Sequence, residues 1–282
     1  QPATGGDGGR LQSDRWTDLD CPYPGLRAFA ADDSDRYFGR EAAVEALLGR
    51  LAAHSVLAVV GSSGSGKSSL VRAGLVPALQ SGTLPGSAGW GYFAMTPGAE
   101  PLAELASKVA ALAGASAVAL LHELEEDDRA LDLVVRQAAM AQPEGFRLVL
   151  VVDQFEELFL LCRDRPQQRQ FVSLLLRAAA PPHGRLTVVL VLRADFYGEC
   201  AAFPGLVEVL ESTHTLLGPM AAGDLRAAIE RPAQVAGMQM EPGLSDRILN
   251  DLGDAPGALP LLAHALRETW QRRVAGKMTV AG

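Results

Sequence analysis

The stretch GSSGSGKSS (61–69) constrains the fold of this chain more than any other feature. Gly61 and Gly66 frame it, Lys67 and Ser68 follow, and it lies between the apolar run VLAVV and a segment with helical spacing of apolar residues. A flexible serine-glycine linker is the alternative interpretation, but a linker does not connect a buried strand to an amphipathic helix. The stretch therefore predicts a loop that leads from a strand into a helix.

The spacing of these residues matches the P-loop pattern GxxxxGK[ST], whose backbone N–H groups cradle phosphate at a helix N-terminus. In this pattern Lys67 neutralises the β and γ phosphates, and the Ser68 hydroxyl is placed to ligate Mg²⁺. The chain uses lysine sparingly, since only three of its 25 basic residues are lysines. We therefore expect the nucleotide to be bound by Gly61, Ser62, Ser63, Gly64, Ser65, Gly66, Lys67, Ser68 and Ser69.

A second candidate group lies in LVLVVDQFEELF (148–159). Asp153 follows an apolar run that predicts a buried parallel strand, so its carboxylate is expected beside the P-loop, where it can hold Mg²⁺ through water. Glu156 lies about one turn further in a helix predicted over 154–162, and we expect it to orient the water that attacks the γ-phosphate. Glu157 is the alternative for this role, and both glutamates can instead favour the helix dipole. Because many ATPases carry their catalytic acid directly after this aspartate, Gln154 favours slow hydrolysis.

A third candidate, Arg193, ends the apolar run LTVVLVL. An arginine at the tip of a strand beside the P-loop strand can reach the γ-phosphate and report its presence. The alternative is a surface salt bridge with Asp195.

The order of apolar segments predicts an α/β fold of the P-loop NTPase type, with a parallel sheet flanked by helices and followed by a small helical domain. Strands are predicted at 56–60, 90–95, 146–152, 186–192 and 213–218. After Pro219 the strand pattern ends, and helices are predicted at about 221–236, 243–252 and 258–273. The predicted domains are a polar linker (1–20), a P-loop nucleotide-binding domain (21–218) and a helical lid domain (219–282).

Composition argues against several other classes. The net charge of −8 and the lack of a basic helix argue against direct nucleic-acid binding by this fragment. Cys21, Cys162 and Cys200 show no CxxC spacing and the histidines are scattered, so neither a disulfide framework nor a zinc site is expected. No apolar run approaches the roughly 18 residues of a membrane span, and the N-terminus shows no signal pattern. We expect a cytoplasmic protein.

Several motifs, taken in order, closely resemble the bacterial novel STAND NTPases, signal-transduction ATPases related to NACHT and NB-ARC proteins. They are CPYPGLRAF…RYFGRE, GSSGSGKSSLVRAGLVPAL, VVDQFEELF, VLRADFYG and PGALPLLAHALRETW. The resemblance implies that the GRE element and the phenylalanine before it pack near the adenine. In this chain these residues are Phe38, Gly39, Arg40 and Glu41. It also implies that the proline of a GxxPL element, Pro260 here, touches the adenine, although this residue alone indicates only a helix N-terminus. The DQFEEL motif supports Glu156 as the water-positioning group.

The resemblance further implies an ATP/ADP-gated regulatory module of a multidomain signalling or transcription-regulatory protein. Such modules rest closed on ADP, exchange it for ATP and usually self-associate, and slow Mg²⁺-dependent hydrolysis resets them. Effector, winged-helix and sensor domains are implied outside this chain. The lack of a membrane-length apolar run, and not the resemblance, predicts no membrane partner. The alternative is an AAA+-like ring ATPase that remodels DNA or protein. That function needs an arginine finger, and spacing does not single out either Arg163 or Arg165.

Overall fold

The computed structural model describes residues 21–180, 184–253, 257–274 and 276–279. Its centre is a five-stranded sheet in which every pairing is parallel, in the order β2-β3-β4-β1-β5. The strands are β1 (Val56–Gly61), β2 (Gly91–Met95), β3 (Leu148–Val152), β4 (Leu186–Arg193) and β5 (His214–Leu216). The predicted α/β fold and its five strands are thus confirmed, and β4 lies between β1 and β3.

The apolar runs of the central strands form strands because helices cover both faces of the sheet. Along β1, Val56, Ala58 and Val60 belong to one buried cluster, and Leu57 and Val59 belong to a second cluster on the opposite face. Every residue of β1 and β3 is buried. This burial fixes the register of the sheet, so the carboxyl ends of β1, β3 and β4 are held side by side.

Twelve α-helical segments are present among the described residues. They are α1 (Glu41–Ala53), α2 (Lys67–Ser69), α3 (Val76–Gln80), α4 (Pro101–Ala113), α5 (Ala117–Glu126), α6 (Ala130–Met140), α7 (Glu157–Leu160), α8 (Arg165–Ala179), α9 (Pro204–Thr213), α10 (Ala222–Val235), α11 (Leu244–Leu252) and α12 (Ala258–Gln271). A π-helical segment, Leu70–Leu75, joins α2 to α3, so the helix after the P-loop is continuous but widened at its centre. Short 3₁₀ segments occur at Ala31–Arg36, Ser87–Gly89 and Ala194–Ala202.

The helix predicted over 154–162 is mostly absent, and only α7 forms there. The reason is that the backbone after β3 stays bonded to the sheet: the N–H of Phe155 donates to the carbonyl of Val191 at 2.9 Å. Gln154 also has φ of +51°, the only positive φ of a non-glycine residue in the described chain. Glu156 is therefore placed by a tight turn and not by a helical face shared with Asp153.

The helical part of the molecule (α10–α12) has its own buried cluster, which includes Ile229, Leu266 and the fully buried Trp270. The prediction that strands end after Pro219 is wrong in one detail. Two short strands, β6 (Gln239–Met240) and β7 (Lys277–Met278), pair in parallel. Two residues are too few to show alternation of apolar and polar side chains, so the sequence pattern could not indicate them.

An N-terminal strap, which we define as residues 21–29, connects the helical part to the P-loop helix. The buried Tyr23 hydroxyl donates to the carbonyl of Ile229 at 2.6 Å, and Tyr23 belongs to the buried cluster of the helical part. At the other end, the N–H of Phe29 donates to Oγ of Ser69 at 3.2 Å. The strap turns at Gly25, where φ is +68°, and it contacts both parts. The domain division at residue 218 stays a prediction.

None of the helices described has both the length and the apolar character that crossing a bilayer requires.

Candidate functional site

Two glycines with left-handed backbone shape the loop between β1 and α2. Gly64 and Gly66 have φ of +73° and +87°, which residues with a side chain adopt only with strain. A Cβ atom on Gly64 would lie 2.8 Å from Cγ of Pro260, and one on Gly66 would lie 3.4 Å from Cδ1 of Leu259. The loop is therefore packed directly against the first turn of α12.

The side chain of Lys67 folds back over this loop. Its Nζ donates to the carbonyl oxygens of Gly61 at 3.0 Å and Ser62 at 2.8 Å, and the residue is only 8% exposed. Burial lowers the pKa of Lys67, while the nearby carboxylates of Glu156 and Asp153 oppose this shift. The ammonium group is thus held at the loop by carbonyl groups that a phosphate oxygen can replace.

One buried hydroxyl of the loop, Oγ of Ser65, has no hydrogen-bond partner among the described residues. An unpaired buried polar group costs ~1–3 kcal/mol, so such groups normally find partners. The carbonyl of Ser65 is paired, since it accepts from Arg40 at 3.1 Å. An unpaired hydroxyl in a loop with two left-handed glycines, at the start of a helix, fits the binding of a phosphate group.

The structure brings Ser68 and Asp153 together at the start of α2. Oγ of Ser68 donates to Oδ1 of Asp153 at 2.9 Å, and Asp153 is only 2% exposed at the end of β3. A hydroxyl and a carboxylate side by side are oxygen ligands of the kind that Mg²⁺ takes together with phosphate and water. The residues present therefore fit the predicted magnesium site.

The two glutamates after Asp153 point to different partners. Oε2 of Glu156 accepts from the N–H of Arg193 at 3.2 Å, and Glu156 is buried close to Lys67. Oε2 of Glu157 accepts from the N–H of Gly98 at 3.2 Å, in the loop after β2. Glu156 therefore lies between the P-loop lysine and the end of β4, whereas Glu157 supports a neighbouring loop.

Arg193 ends β4, and its register partner in β1 is Gly61, so it lies beside the P-loop strand as the sequence indicated. Its guanidinium forms an ion pair with Asp195 and stacks on Phe196, with 5.5 Å from the guanidinium carbon to the ring centre. The salt bridge that the sequence offered as an alternative is thus present. The contact with a γ-phosphate stays a prediction.

The GRE element connects the P-loop to the helical part. Arg40 donates to the carbonyls of Ser65 and Gly218, both at 3.1 Å, and burial lowers its pKa. Gly39 has φ of +85°, and any Cβ there would overlap the carbonyl of Asp224 at the start of α10. Glu41 forms an ion pair with Arg231 of α10 at 3.2 Å. Position 39 therefore requires glycine, because the backbone at the start of α10 comes too close for any side chain.

A cavity of about 270 Å³ opens between the P-loop, the strap and α12. Of the residues predicted to bind nucleotide, those that line it are Phe38, Arg40, Gly64, Gly66, Lys67, Ser68, Ser69 and Pro260. Gly39, Gly61, Ser62, Ser63 and Ser65 are not in the described lining, and neither are the predicted catalytic residues Asp153, Glu156 and Arg193. The catalytic candidates cluster instead around Lys67 and Ser68. These two residues line the cavity and also lie at the P-loop, which we call the phosphate end of the site.

The sequence did not single out several residues that the structure places at this site. The strap contributes Tyr23, Pro24, Gly25, Leu26, Arg27, Ala28 and Phe29 to the lining, and the helical part adds Met220, Ala228, Leu259, Leu262, Ala263 and Leu266. Arg72 is a further example, because its guanidinium lies 2.7 Å from Oδ2 of Asp153. The apolar residues between prolines in the strap were the one signal that could have indicated a covering segment.

Similar folds occur among solved structures of P-loop ATPases. A Drosophila ORC structure bound to DNA matches with a TM-score of 0.57 and 17% identity, covering 96% of this chain and 65% of that one. Aeropyrum pernix ORC2, with ADPNP and ADP, matches with a TM-score of 0.54 and 17% identity, covering 83% of this chain and 62% of that one. A Walker-type ATPase of Pyrococcus abyssi matches with a TM-score of 0.54 and 17% identity, covering 87% of this chain and 71% of that one.

This chain therefore spans less than two thirds of the length of the two ORC chains, and at these identities the likeness concerns the fold. A comparison with curated protein sequences gives no match. The model of the family described as Novel STAND NTPase 1 matches residues 22–282, almost the whole chain. The P-loop geometry, the parallel sheet and this match agree, and the chain belongs to the novel STAND NTPase 1 family.

Proposed function

We propose that this NTPase module binds ATP and ADP in the cavity between the P-loop and α12 and acts as a nucleotide-dependent switch. Lys67 and the loop amides hold the phosphates, while Phe38, Arg40 and Pro260 surround the base. Slow hydrolysis returns the module to its ADP form. We further propose that this switch is one part of a larger signalling protein.

One observation supports the switch more than any other: the helical part packs directly on the phosphate-binding loop. Pro260 lies so close to Gly64 that a Cβ atom there would clash with its ring, and Leu259 lies at contact distance from Gly66, so a change in the loop is felt directly by α12. A ligand shifts an equilibrium between two conformations only if it binds them differently. Direct packing of α12 on the P-loop gives the phosphates a means to bias the position of the helical part.

For hydrolysis, we assign four residues to three tasks. Ser68 and Asp153 would hold Mg²⁺ through their side-chain oxygens, and the ion would neutralise charge that develops on the phosphates. Glu156 holds the attacking water and polarises it, because its carboxylate is buried next to Lys67 and oriented by the N–H of Arg193. Arg193 reports the γ-phosphate after it exchanges its ion pair with Asp195 for that group.

The test begins with equilibrium binding of a fluorescent ADP analogue to the parent chain, to Lys67→Ala and to Lys108→Ala. Lys108 is an exposed lysine of α4, so its loss controls for a general change in charge. We expect Lys67→Ala to abolish binding and Lys108→Ala to bind like the parent. Equal affinity of Lys67→Ala and the parent would contradict the assignment of the P-loop.

The switch is tested by following the first turnovers of ATP with Mg²⁺. Tight retention of ADP predicts a burst of one ADP formed per chain, followed by a slow phase limited by ADP release. Denaturing the protein after the reaction should then release one ADP per chain. A linear time course with an empty site at the end would favour a turnover ATPase, which was the alternative function.

Self-association is the last part of the proposal. We expect the complex with a non-hydrolysable ATP analogue to have a larger mass than the ADP complex in light scattering after size exclusion. A monomer in both nucleotide states would remove self-association of this module from the mechanism.

A further inference from the structure

We propose that Arg72 is a positioning residue for Asp153, which it holds by Oδ2 so that Oδ1 faces Ser68 and the metal. This inference rests on the proposed function, because it concerns the same magnesium site. It adds a residue that neither the P-loop spacing nor the aspartate motif includes.

The geometry divides the two carboxylate oxygens of Asp153 between different partners. Oδ2 lies 2.7 Å from the guanidinium of Arg72. Oδ1 accepts from Oγ of Ser68 and from the N–H of Gln154, both at 2.9 Å. Three donors from two chain segments therefore fix the plane of one carboxylate, and the oxygen beside Ser68 is the one directed to the phosphate end of the site.

The local fold brings Arg72 to this position. Arg72 follows Ser68 by four residues and lies in the π-helical segment Leu70–Leu75, where the N–H of Val76 bonds to the carbonyl of Val71. Such widened turns within a helix occur frequently at functional sites. Nε of Arg72 is buried without a hydrogen-bond partner among the described residues, and the ion pair of this side chain is with Asp153.

The charge of Arg72 matters because Asp153 is almost fully buried. A buried carboxylate without a cation is strongly unfavourable, and breaking a buried ion pair is costly for the same reason. Arg72 holds the carboxylate of Asp153 in one orientation whether or not a metal is bound. Because Arg72 occupies Oδ2, Oδ1 is the oxygen that Asp153 would present, beside Ser68, to a metal or to its water.

The competing explanation is a purely structural ion pair that fastens the P-loop helix to β3. Both explanations predict lower thermal stability when Arg72 is replaced. Only the positioning role predicts a change in the magnesium dependence of nucleotide binding. Partners of metal ligands typically contribute about 10–100-fold to metal affinity.

The experiment measures the affinity of a fluorescent ADP analogue, first in EDTA and then across a series of free Mg²⁺ concentrations. The variants are Arg72→Met, which keeps the apolar stem, Arg72→Lys, which keeps the charge, and Arg72→Gln, which keeps a donor. Arg177→Met is the control for loss of an arginine–aspartate ion pair outside the site, since Arg177 lies 3.2 Å from Asp128, although that pair is more exposed to solvent.

We expect Arg72→Met to bind the analogue in EDTA like the parent but to need about tenfold more free Mg²⁺ for the half-maximal effect. Arg72→Lys should restore most of the parent's magnesium response, although a lysine cannot reproduce the planar fork of arginine. Arg177→Met should lower the melting temperature without changing the magnesium response. If Arg72→Met does not fold, Arg72→Gln is expected to show the same shift.

A folded Arg72→Met or Arg72→Gln with the magnesium response of the parent would overturn the positioning role and leave a structural ion pair. Failure of the proposed function looks different. In that case the parent itself would not bind the analogue in EDTA or in Mg²⁺, whatever residue stands at position 72.

Discussion

Replacing Gly64 by alanine tests the contact between the P-loop and the helical part. The new Cβ would lie 2.8 Å from Cγ of Pro260 and 3.2 Å from its Cδ. A proline ring has little freedom to give way, so the first turn of α12 must move. We therefore expect Gly64→Ala to affect both stability and the cavity for nucleotide.

The magnitude can be worked out against a matched glycine. Gly86 has φ of +84° and open space around its Cβ position, so Gly86→Ala introduces backbone strain alone. Left-handed backbone costs an alanine ~1–2 kcal/mol, offset by ~0.4–1 kcal/mol from the lower entropy of the unfolded chain. Gly86→Ala should thus lose about 1 kcal/mol, which corresponds to a fall in Tm of roughly 2–4 °C. Gly64→Ala adds an overpacking cost of about 1–3 kcal/mol.

The assay is thermal unfolding of each variant with and without ADP at one hundred times the dissociation constant of the parent. At this concentration ADP stabilises the parent by about 2.7 kcal/mol. Gly86→Ala should keep this gain and Gly64→Ala should lose most of it. The double variant Gly64→Ala/Pro260→Ala should recover part of the gain, because the clashing ring atoms are gone.

Two results would refute this reasoning. If Gly64→Ala gains as much stability from ADP as Gly86→Ala does, the packing of Pro260 on the loop has no role in nucleotide binding. If the double variant is no better than Gly64→Ala while Pro260→Ala alone keeps the gain of the parent, the loss arises from the loop backbone and not from the contact with α12.

Three further predictions concern other parts of the molecule. Glu156→Gln should bind ATP but hydrolyse it much more slowly in single turnovers, whereas Glu157→Gln should react like the parent, because it supports only a neighbouring loop. Tyr23→Phe should lower the free energy of unfolding by about 0.5–1.5 kcal/mol in urea, since it removes the hydrogen bond from the buried hydroxyl to the carbonyl of Ile229. Burial raises the pKa of the Cys200 thiol from 9.0 to about 11, so the folded state binds this proton more tightly. The free energy of unfolding should therefore fall as the pH rises from 9 to 11, and Cys200→Ala should show a smaller fall in urea titrations.

The sequence predicted those parts of the structure that local patterns determine. β1 and β3 are unbroken apolar runs because both faces of the sheet are covered, and the spacing of Gly66, Lys67 and Ser68 follows from the geometry of a phosphate loop. The strand order then brought Asp153 to Ser68, as expected for neighbouring carboxyl ends of parallel strands.

Features that depend on contacts between distant segments could not be predicted in this way. The role of Arg72 depends on a π-helical widening that its own sequence does not signal. The turn that places Glu156 depends on a hydrogen bond from Phe155 to β4, which overrides the local helical pattern. The packing of Pro260 on Gly64 joins residues almost two hundred positions apart, and the sequence offered only a resemblance as a guide.

The strap also has a consequence for how the molecule is made. Its hydrogen bond from Tyr23 to Ile229 spans 206 positions, so the cavity has one wall from the beginning of the described chain and another from near its end. At ribosomal speed, α12 leaves the peptidyl-transferase centre roughly ten to forty seconds after the P-loop. During that interval the nascent chain has a phosphate loop without its cover. A nucleotide in this cavity gains its contacts with α12 only after that helix has been synthesised.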